Sequence, residues 1–188
     1  GRSEAGARIH IGIDWLASVA FGHVKSVGKR VIVLGGGNTA MDCCRSARRL
    51  GASDVKVIVL SNALLMNKPE VLAALNELKG GPYEIWAKLE AGTEEYFKLV
   101  DRTPIPFQQI LDNITAAARV RPLVIQALFM RVNGQPPSAE ELNAFCDRLN
   151  EITTATEETV SLVYGDLDGD SDPANDLVVT QINAPGGN

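Results

Sequence analysis

Cysteine is scarce in this chain of 188 residues: there are three, at Cys43, Cys44 and Cys146. Two are adjacent and none forms a C-x-x-C pair. That excludes a disulfide framework and the usual structural-zinc spacings. Histidine is scarcer, and His10 and His23 each stand without a partner pattern for catalysis. Positive charge is in deficit, with 18 Lys and Arg against 23 Asp and Glu and a net charge of −5. A general nucleic-acid binder needs the opposite balance. No apolar run reaches the roughly 18 residues of a membrane span. The N-terminal stretch has no charged-then-apolar signal pattern, so the expected compartment is cytoplasmic, with no membrane partner. A G-x-S-x-G nucleophile elbow and a G-x-x-x-x-G-K-[ST] phosphate loop are both missing.

What is present is ordinary globular composition, 45% hydrophobic and 22% charged. A chain of this length buries a sizeable core without disulfides or metals. Its pattern alternates strand and helix. Apolar runs over 31–35, 55–60, 84–89 and 123–130 predict strands. Helices are predicted over 38–50, from Pro69 to the Gly80-Gly81 stop, after the Thr93 cap, and around Phe107, Ile110, Leu111 and Ile114. Ser138 and Glu141 form a capping box that opens another helix with Leu142, Phe145, Cys146 and Leu149 inward. From 153 to 159 the chain turns polar and linker-like, and strands over 160–164 and 177–182 flank an acidic loop. The expected fold class is α/β: a mainly parallel sheet of βα units, part Rossmann and part barrel, with a short C-terminal β-hairpin. The expected segments are 1–59, 60–152 and 153–188.

The sharpest local motif is Gly35-Gly36-Gly37-Asn38-Thr39-Ala40, which fits G-x-G-x-x-A between a strand and a helix. Glycines permit a tight turn and a close backbone approach to a pyrophosphate, and a helix N-terminus offers free N–H groups to that anion. With its flanks, from Gly28-Lys29-Arg30 through Arg48-Arg49-Leu50-Gly51 and Ile13-Asp14-Trp15-Leu16 upstream, the segment 9–59 resembles the NADPH-binding segment of glutamate synthase small-subunit-type flavoprotein oxidoreductases. The resemblance implies that Gly35, Gly37, Asn38, Thr39 and Ala40 contact the pyrophosphate of NADP. It also implies arginines after the second strand for the 2′-phosphate, where this chain has Leu60, Ser61 and Asn62. An acid for a ribose hydroxyl is missing there too. Cys43 and Cys44 diverge by about 100° on a helix, so packing is their expected role. Arg45, Arg48 and Arg49 are expected on the solvated side and last turn of that helix.

Further along, three strands end in polar residues: Ser61 and Asn62, Lys88 and Glu90, and Gln126. In open α/β sheets and βα-barrels, ligands sit at such C-terminal strand ends. The stretches 60–70, 86–95 and 123–129 resemble the later part of a radical S-adenosylmethionine (SAM) domain, and the likeness extends over 59–152. It implies that Ser61, Asn62 and Lys88 help hold SAM. The same family requires a C-x-x-x-C-x-x-C iron–sulfur motif, which this chain lacks. Cluster iron needs thiolates arranged about one centre, so an iron–sulfur cluster is not expected.

The tail carries Asp166, Asp168, Asp170, Asp172 and Asp176. Alternating carboxylates suit calcium, which takes six to eight oxygen ligands. Ser171 and Leu177 replace the glycine and glutamate of an EF-hand. Residues 161–188 resemble instead the calcium loop of FG-GAP/VCBS repeats. Together these features lead to an expectation of an incomplete or chimeric protein of redox-enzyme origin. It would bind NADP or SAM weakly, hold no complete catalytic site, and accept a completing protein chain or a small nucleotide as partner. The alternatives are a radical SAM or NADP-dependent oxidoreductase component completed by another chain, and a calcium-dependent binding module.

Overall fold

A computed structural model describes residues 6–129, 131–156, 160–164 and 178–182. The chain divides into two compact units. One comprises Gly1–Leu60 and Gly80–Glu84, the other Ser61–Lys79 and Ile85–Asn188.

In the first unit a short 3-10 turn at Gly6–Arg8 precedes helix α1 (Gly12–Ala20). Strand β1 (Arg30–Leu34), helix α2 (Asn38–Arg49) and strand β2 (Asp54–Ser61) then form a βαβ unit. β1 and β2 pair in parallel, from Arg30 opposite Asp54 to Leu34 opposite Ile58. Both strands are rich in β-branched residues, which suit a pleated, packed surface. Ala40, Cys43 and Ala47 on one face of α2 join Val33 and Val55 in a core that Trp15, Leu16 and Val27 flank. Fully burying a valine is worth about 1.5–3 kcal/mol, so Val55 and Val57, 5% and 3% exposed, are major contributors. The alternate β1 residues Ile32 and Leu34 stay 65% and 68% exposed.

The second unit holds helix α3 (Pro69–Glu77), most of strand β3 (Tyr83–Lys88), helices α4 (Glu94–Asp101) and α5 (Phe107–Ala118), strand β4 (Leu123–Ala127), helix α6 (Ala139–Thr154), and strands β5 (Val160–Tyr164) and β6 (Val178–Ile182). β3 pairs with β4 and β4 with β5 in parallel, and β5 pairs with β6 antiparallel. The fold class is therefore the expected one, α/β with mainly parallel pairing and a terminal antiparallel hairpin. Leu89, Ile114, Leu123, Ile125 and Ile152 are almost wholly buried. Phe97 packs against Phe107 with the rings tilted by 36°, and Phe129 meets Phe145 edge-on, with centroids 5.2 and 5.0 Å apart.

The structure departs from expectation at several places. Of the four residues expected inward on α6, Phe145 and Leu149 are buried, but Leu142 is 40% exposed and Cys146 is exposed, because the buried stripe runs through Glu141, Phe145, Leu149 and Ile152 instead. α1 is not among the expected helices; it has no side-chain cap, and its apolar stripe, Trp15, Leu16 and Val19 at helical spacing, is only half-buried. β4 ends at Ala127, short of the expected 130. The polar stretch starting at 153 does not begin as a linker, because α6 runs to Thr154 and buries Ile152 and Thr153. Thr153 tolerates that burial by donating its hydroxyl to the Leu149 carbonyl at 2.8 Å. Finally, Ser138 does cap α6 by accepting from the Glu141 amide. Its supposed box partner Glu141 instead turns its carboxylate to the Gly92 amide and the Thr93 hydroxyl.

Candidate functional site

The glycine turn occupies the C-terminal end of β1 and leads directly into α2. Gly35 has φ +132°, a conformation that side chains other than hydrogen rarely adopt. Its amide donates to the Ile58 carbonyl at 2.8 Å, tying the turn to β2. Gly36, absent from the expected contact set, is required for a second reason: a Cβ there would lie 2.8 Å from Val59 Cγ1. Gly37 is the N-cap of α2, with extended backbone and no side chain to cap the first turn. First-turn N–H groups have no intrahelical acceptor, so the amides of this turn are open to an external one. Asn38 and Thr39 are exposed. Ala40 is buried at 8%, packing under the turn, and only its amide remains available to a ligand. The macrodipole adds partial positive charge at the same place.

Both cysteines of α2 behave as packing residues. Cys43 Sγ sits 3.6 Å from the Gly12 carbonyl oxygen, and burial pushes its thiol pKa up. Cys44 is half-buried and shifts in the same direction, mainly through desolvation. Neither has the depressed pKa of a reactive thiol.

The strand ends of the second unit are built differently. Ser61 Oγ accepts from the Ala63 amide at 3.1 Å, and Asn62 Oδ1 accepts from the Leu64 amide at 3.3 Å. These two local turns fold the segment back on itself, with Ala63 at φ +62°. Fully buried Asn113 clamps it from α5, donating to the carbonyls of Ala63 and Leu64, each at 3.0 Å. Lys88 Nζ lies 2.6 Å from Glu90 Oε1. That contact is an ion pair without hydrogen-bond alignment, since the same oxygen has no hydrogen-bond partner. Glu90 is 7% exposed. It adjoins Asp101 at the end of α4, whose carboxyl is pushed up by burial and then by the Glu90 charge. Gln126 stands opposite Lys88 in the β3–β4 register. The residues carried over for SAM are thus already engaged with protein groups, apart from the Ser61 hydroxyl proton, the Asn62 amide protons and the Lys88 ammonium protons turned away from Glu90.

Asp166, Asp168, Asp170, Asp172 and Asp176 lie outside the described residues. Among the described residues no group of three His, Cys, Asp or Glu side chains could hold a metal ion. No described helix is long and apolar enough to cross a membrane. A shallow depression lined by Asp147, Arg148, Asn150, Glu151, Thr154 and Ala155 lies along α6 alone.

No protein-family model matches the chain. Three curated proteins share short, highly similar segments with it. The NADPH-Fe(3+) oxidoreductase subunit beta of Geobacter sulfurreducens is 51% identical over 43 residues, 23% of this chain and 6% of that protein. The glutamate synthase [NADPH] small chain of Azospirillum brasilense is 57% identical over 45 residues, 24% of this chain and 9% of that protein. A putative glutamate synthase [NADPH] small chain of Cereibacter sphaeroides is 64% identical over 31 residues, 16% of this chain and 8% of that protein. The chain therefore spans under a tenth of the length of each relative. These matches support the resemblance to glutamate synthase small-subunit-type oxidoreductases in their NADPH-binding region. They lend none to the radical SAM or FG-GAP resemblances.

Proposed function

We propose that the β1–α2–β2 segment is a nicotinamide-dinucleotide-binding unit of redox-enzyme origin. It holds the pyrophosphate of NADP weakly through the amides of Gly37, Asn38, Thr39 and Ala40 and supplies no catalytic group. One observation carries this: a helix start left uncapped by Gly37, behind a turn whose Gly36 lies so close to Val59 that an added Cβ would sit 2.8 Å from its Cγ1. A fold element kept only for stability would gain from a capping Ser, Asp or Asn at that position. High identity to NADPH-dependent oxidoreductase segments supports the choice of ligand.

Weak binding follows from what surrounds the turn. Tight small-molecule sites bury most of the ligand, whereas Asn38 and Thr39 lie open. The exposed β1 face at Ile32 and Leu34 is what a βα unit shows when the layer over its second face is not in place. A completing protein chain is therefore part of the proposal, as is a mosaic origin for the remaining segments. Calorimetric titration with NADPH and NADH tests it directly. A Kd in the range of about 0.1–1 mM, or about 4–5.5 kcal/mol, is expected. Flat titrations with both would refute it. SAM affinity at Ser61, Asn62 and Lys88 is not part of the reading, because the Ser61 and Asn62 oxygens already accept from the Ala63 and Leu64 amides and the Lys88 ammonium is paired with Glu90. Calcium at the five tail aspartates stands as a separate proposal from sequence. A melting curve with and without calcium checks it, since a ligand that binds only the folded state raises stability.

A further inference from the structure

We infer that this site does not distinguish NADPH from NADH. The inference rests on the dinucleotide reading above and concerns its specificity. In a βαβ dinucleotide fold, discrimination comes from the end of the second strand, about 20 residues beyond the glycine fingerprint. An acid there accepts from the ribose 2′-hydroxyl, or an arginine pairs with the 2′-phosphate. Here that position falls at Leu60, next to the Val59 that packs on the glycine turn. Leu60 is 45% exposed, so an apolar side chain stands where either charged group would.

Neighbouring residues do not compensate. Residues 57–67 contain no Asp, Glu, Lys or Arg. Lys56 on β2 is ion-paired with Glu84. On α2, Arg45 pairs with Asp42 at 3.3 Å, and Arg49 bonds the Arg45 carbonyl and the Ser46 hydroxyl. Arg48 and Arg49 belong to the last turn of α2, about 15 Å along its axis from Asn38 at about 1.5 Å per residue. Among the described residues on α2 and at the end of β2, none therefore offers the 2′-phosphate, a dianion needing charge-assisted donors, a partner that the diol of NADH lacks.

Calorimetric titration of the whole chain with NADPH and with NADH tests this. The two affinities should agree within about threefold, since no charge-assisted bond separates them. Leu60→Arg should favour NADPH by about tenfold, and Leu60→Asp should favour NADH by a similar factor. Both substitutions sit at an exposed position, and a thermal melt verifies folding. A preference of the unmodified chain for NADPH beyond about tenfold would overturn the inference and leave the dinucleotide reading intact. Loss of such a preference in Lys68→Ala would locate its source in the first charged residue after Lys56. Failure of both cofactors to bind the unmodified chain would remove the reading on which the inference stands, a result easily told from the other.

Discussion

The glycine turn and the strand ends of the second unit are both polar ends of parallel strands, yet their hydrogen-bonding capacity is spent differently. Ser61, Asn62 and Lys88 look functional as residue types, but their acceptors and charge are engaged by Ala63, Leu64 and Glu90. The glycine turn carries almost no functional side chain, and beyond Gly35, whose amide is bonded to Ile58, its amides lead into a helix first turn that has no intrahelical acceptor. Ligand capacity is thus a matter of unsatisfied groups held in place, and side-chain polarity alone is a poor guide to it. The second unit extends the contrast at Gly92, Thr93 and Glu141, where a buried carboxylate accepts from an amide and a hydroxyl. Thr93 Oγ1 in turn accepts from the Tyr96 amide and caps α4.

If the second unit is built for closure, its closest contact should be its most sensitive. A Cβ at Gly92 would sit 2.1 Å from the Phe145 backbone nitrogen and 2.5 Å from the Ala144 carbonyl carbon. Backbone cannot give way as a side-chain tip can. Gly92→Ala should cost at least about 3 kcal/mol in urea-denaturation stability. A cost below about 1 kcal/mol would show that α6 shifts freely and that the contact is not a constraint. Next in size is Glu141→Ala, which leaves the Gly92 amide buried without an acceptor. About 2–3 kcal/mol is expected, with Glu141→Gln milder because it keeps one acceptor oxygen.

In the first unit the same kind of substitution should act in the opposite sense. A Cβ at Gly37 meets nothing within 4 Å, and φ −85°, ψ 177° suits any residue. Gly37→Asp places a carboxylate at the N-cap of α2, against the positive end of the dipole. Stability should rise by about 0.3–1 kcal/mol. The same carboxylate occupies the anion's position, so NADPH affinity should fall by at least about tenfold. A variant that is stabilised but binds NADPH unchanged would place the ligand elsewhere. Loss of stability would show that the first-turn amides already have an acceptor.

How far the sequence anticipates this structure depends on how local the cause is. β1, α2 and the Ser138 and Thr93 caps follow from short-range chemistry: an apolar run, a glycine turn, a hydroxyl three residues before an amide. α1 escaped because nothing caps it and exposed Ile11 and Ile13 blur the short Trp15, Leu16 and Val19 stripe that faces the core. The true role of Glu141 escaped because its partners are about fifty positions away and no periodicity encodes that distance. Gly36 could have been found, since a third glycine inside a G-x-G turn asks for a reason, and the reason is Val59 on the next strand. The engagement of Ser61 and Asn62 was partly legible as well. Serine and asparagine just past a strand commonly bond an amide two residues on.

The smallest effect concerns charge at the closed end of the second unit. The Asp101 carboxyl is raised first by burial and then by neighbouring Glu90, while Lys88 pulls it down. A carboxyl with a raised folded-state pKa keeps its proton longer in the folded chain than in the unfolded one. Its contribution is complete below the unfolded value, about 4, and declines as pH rises through the folded one. Glu94 has the opposite sign. Hydrogen bonds from Lys98 and the Phe107 amide depress it, so its contribution is present above the unfolded value and lost as pH falls. Asp101→Asn should therefore flatten the decline in stability above about pH 4 and leave in place the acid limb, to which Glu94 and Glu140 both contribute. Because Asp101 is only partly withdrawn from solvent, screening keeps the change small. Urea midpoints measured across the carboxyl range would resolve it. An unchanged slope in Asp101→Asn would mean that the Glu90 carboxylate is balanced by Lys88 alone, and that α4 ends there without an electrostatic stake in the strand beside it.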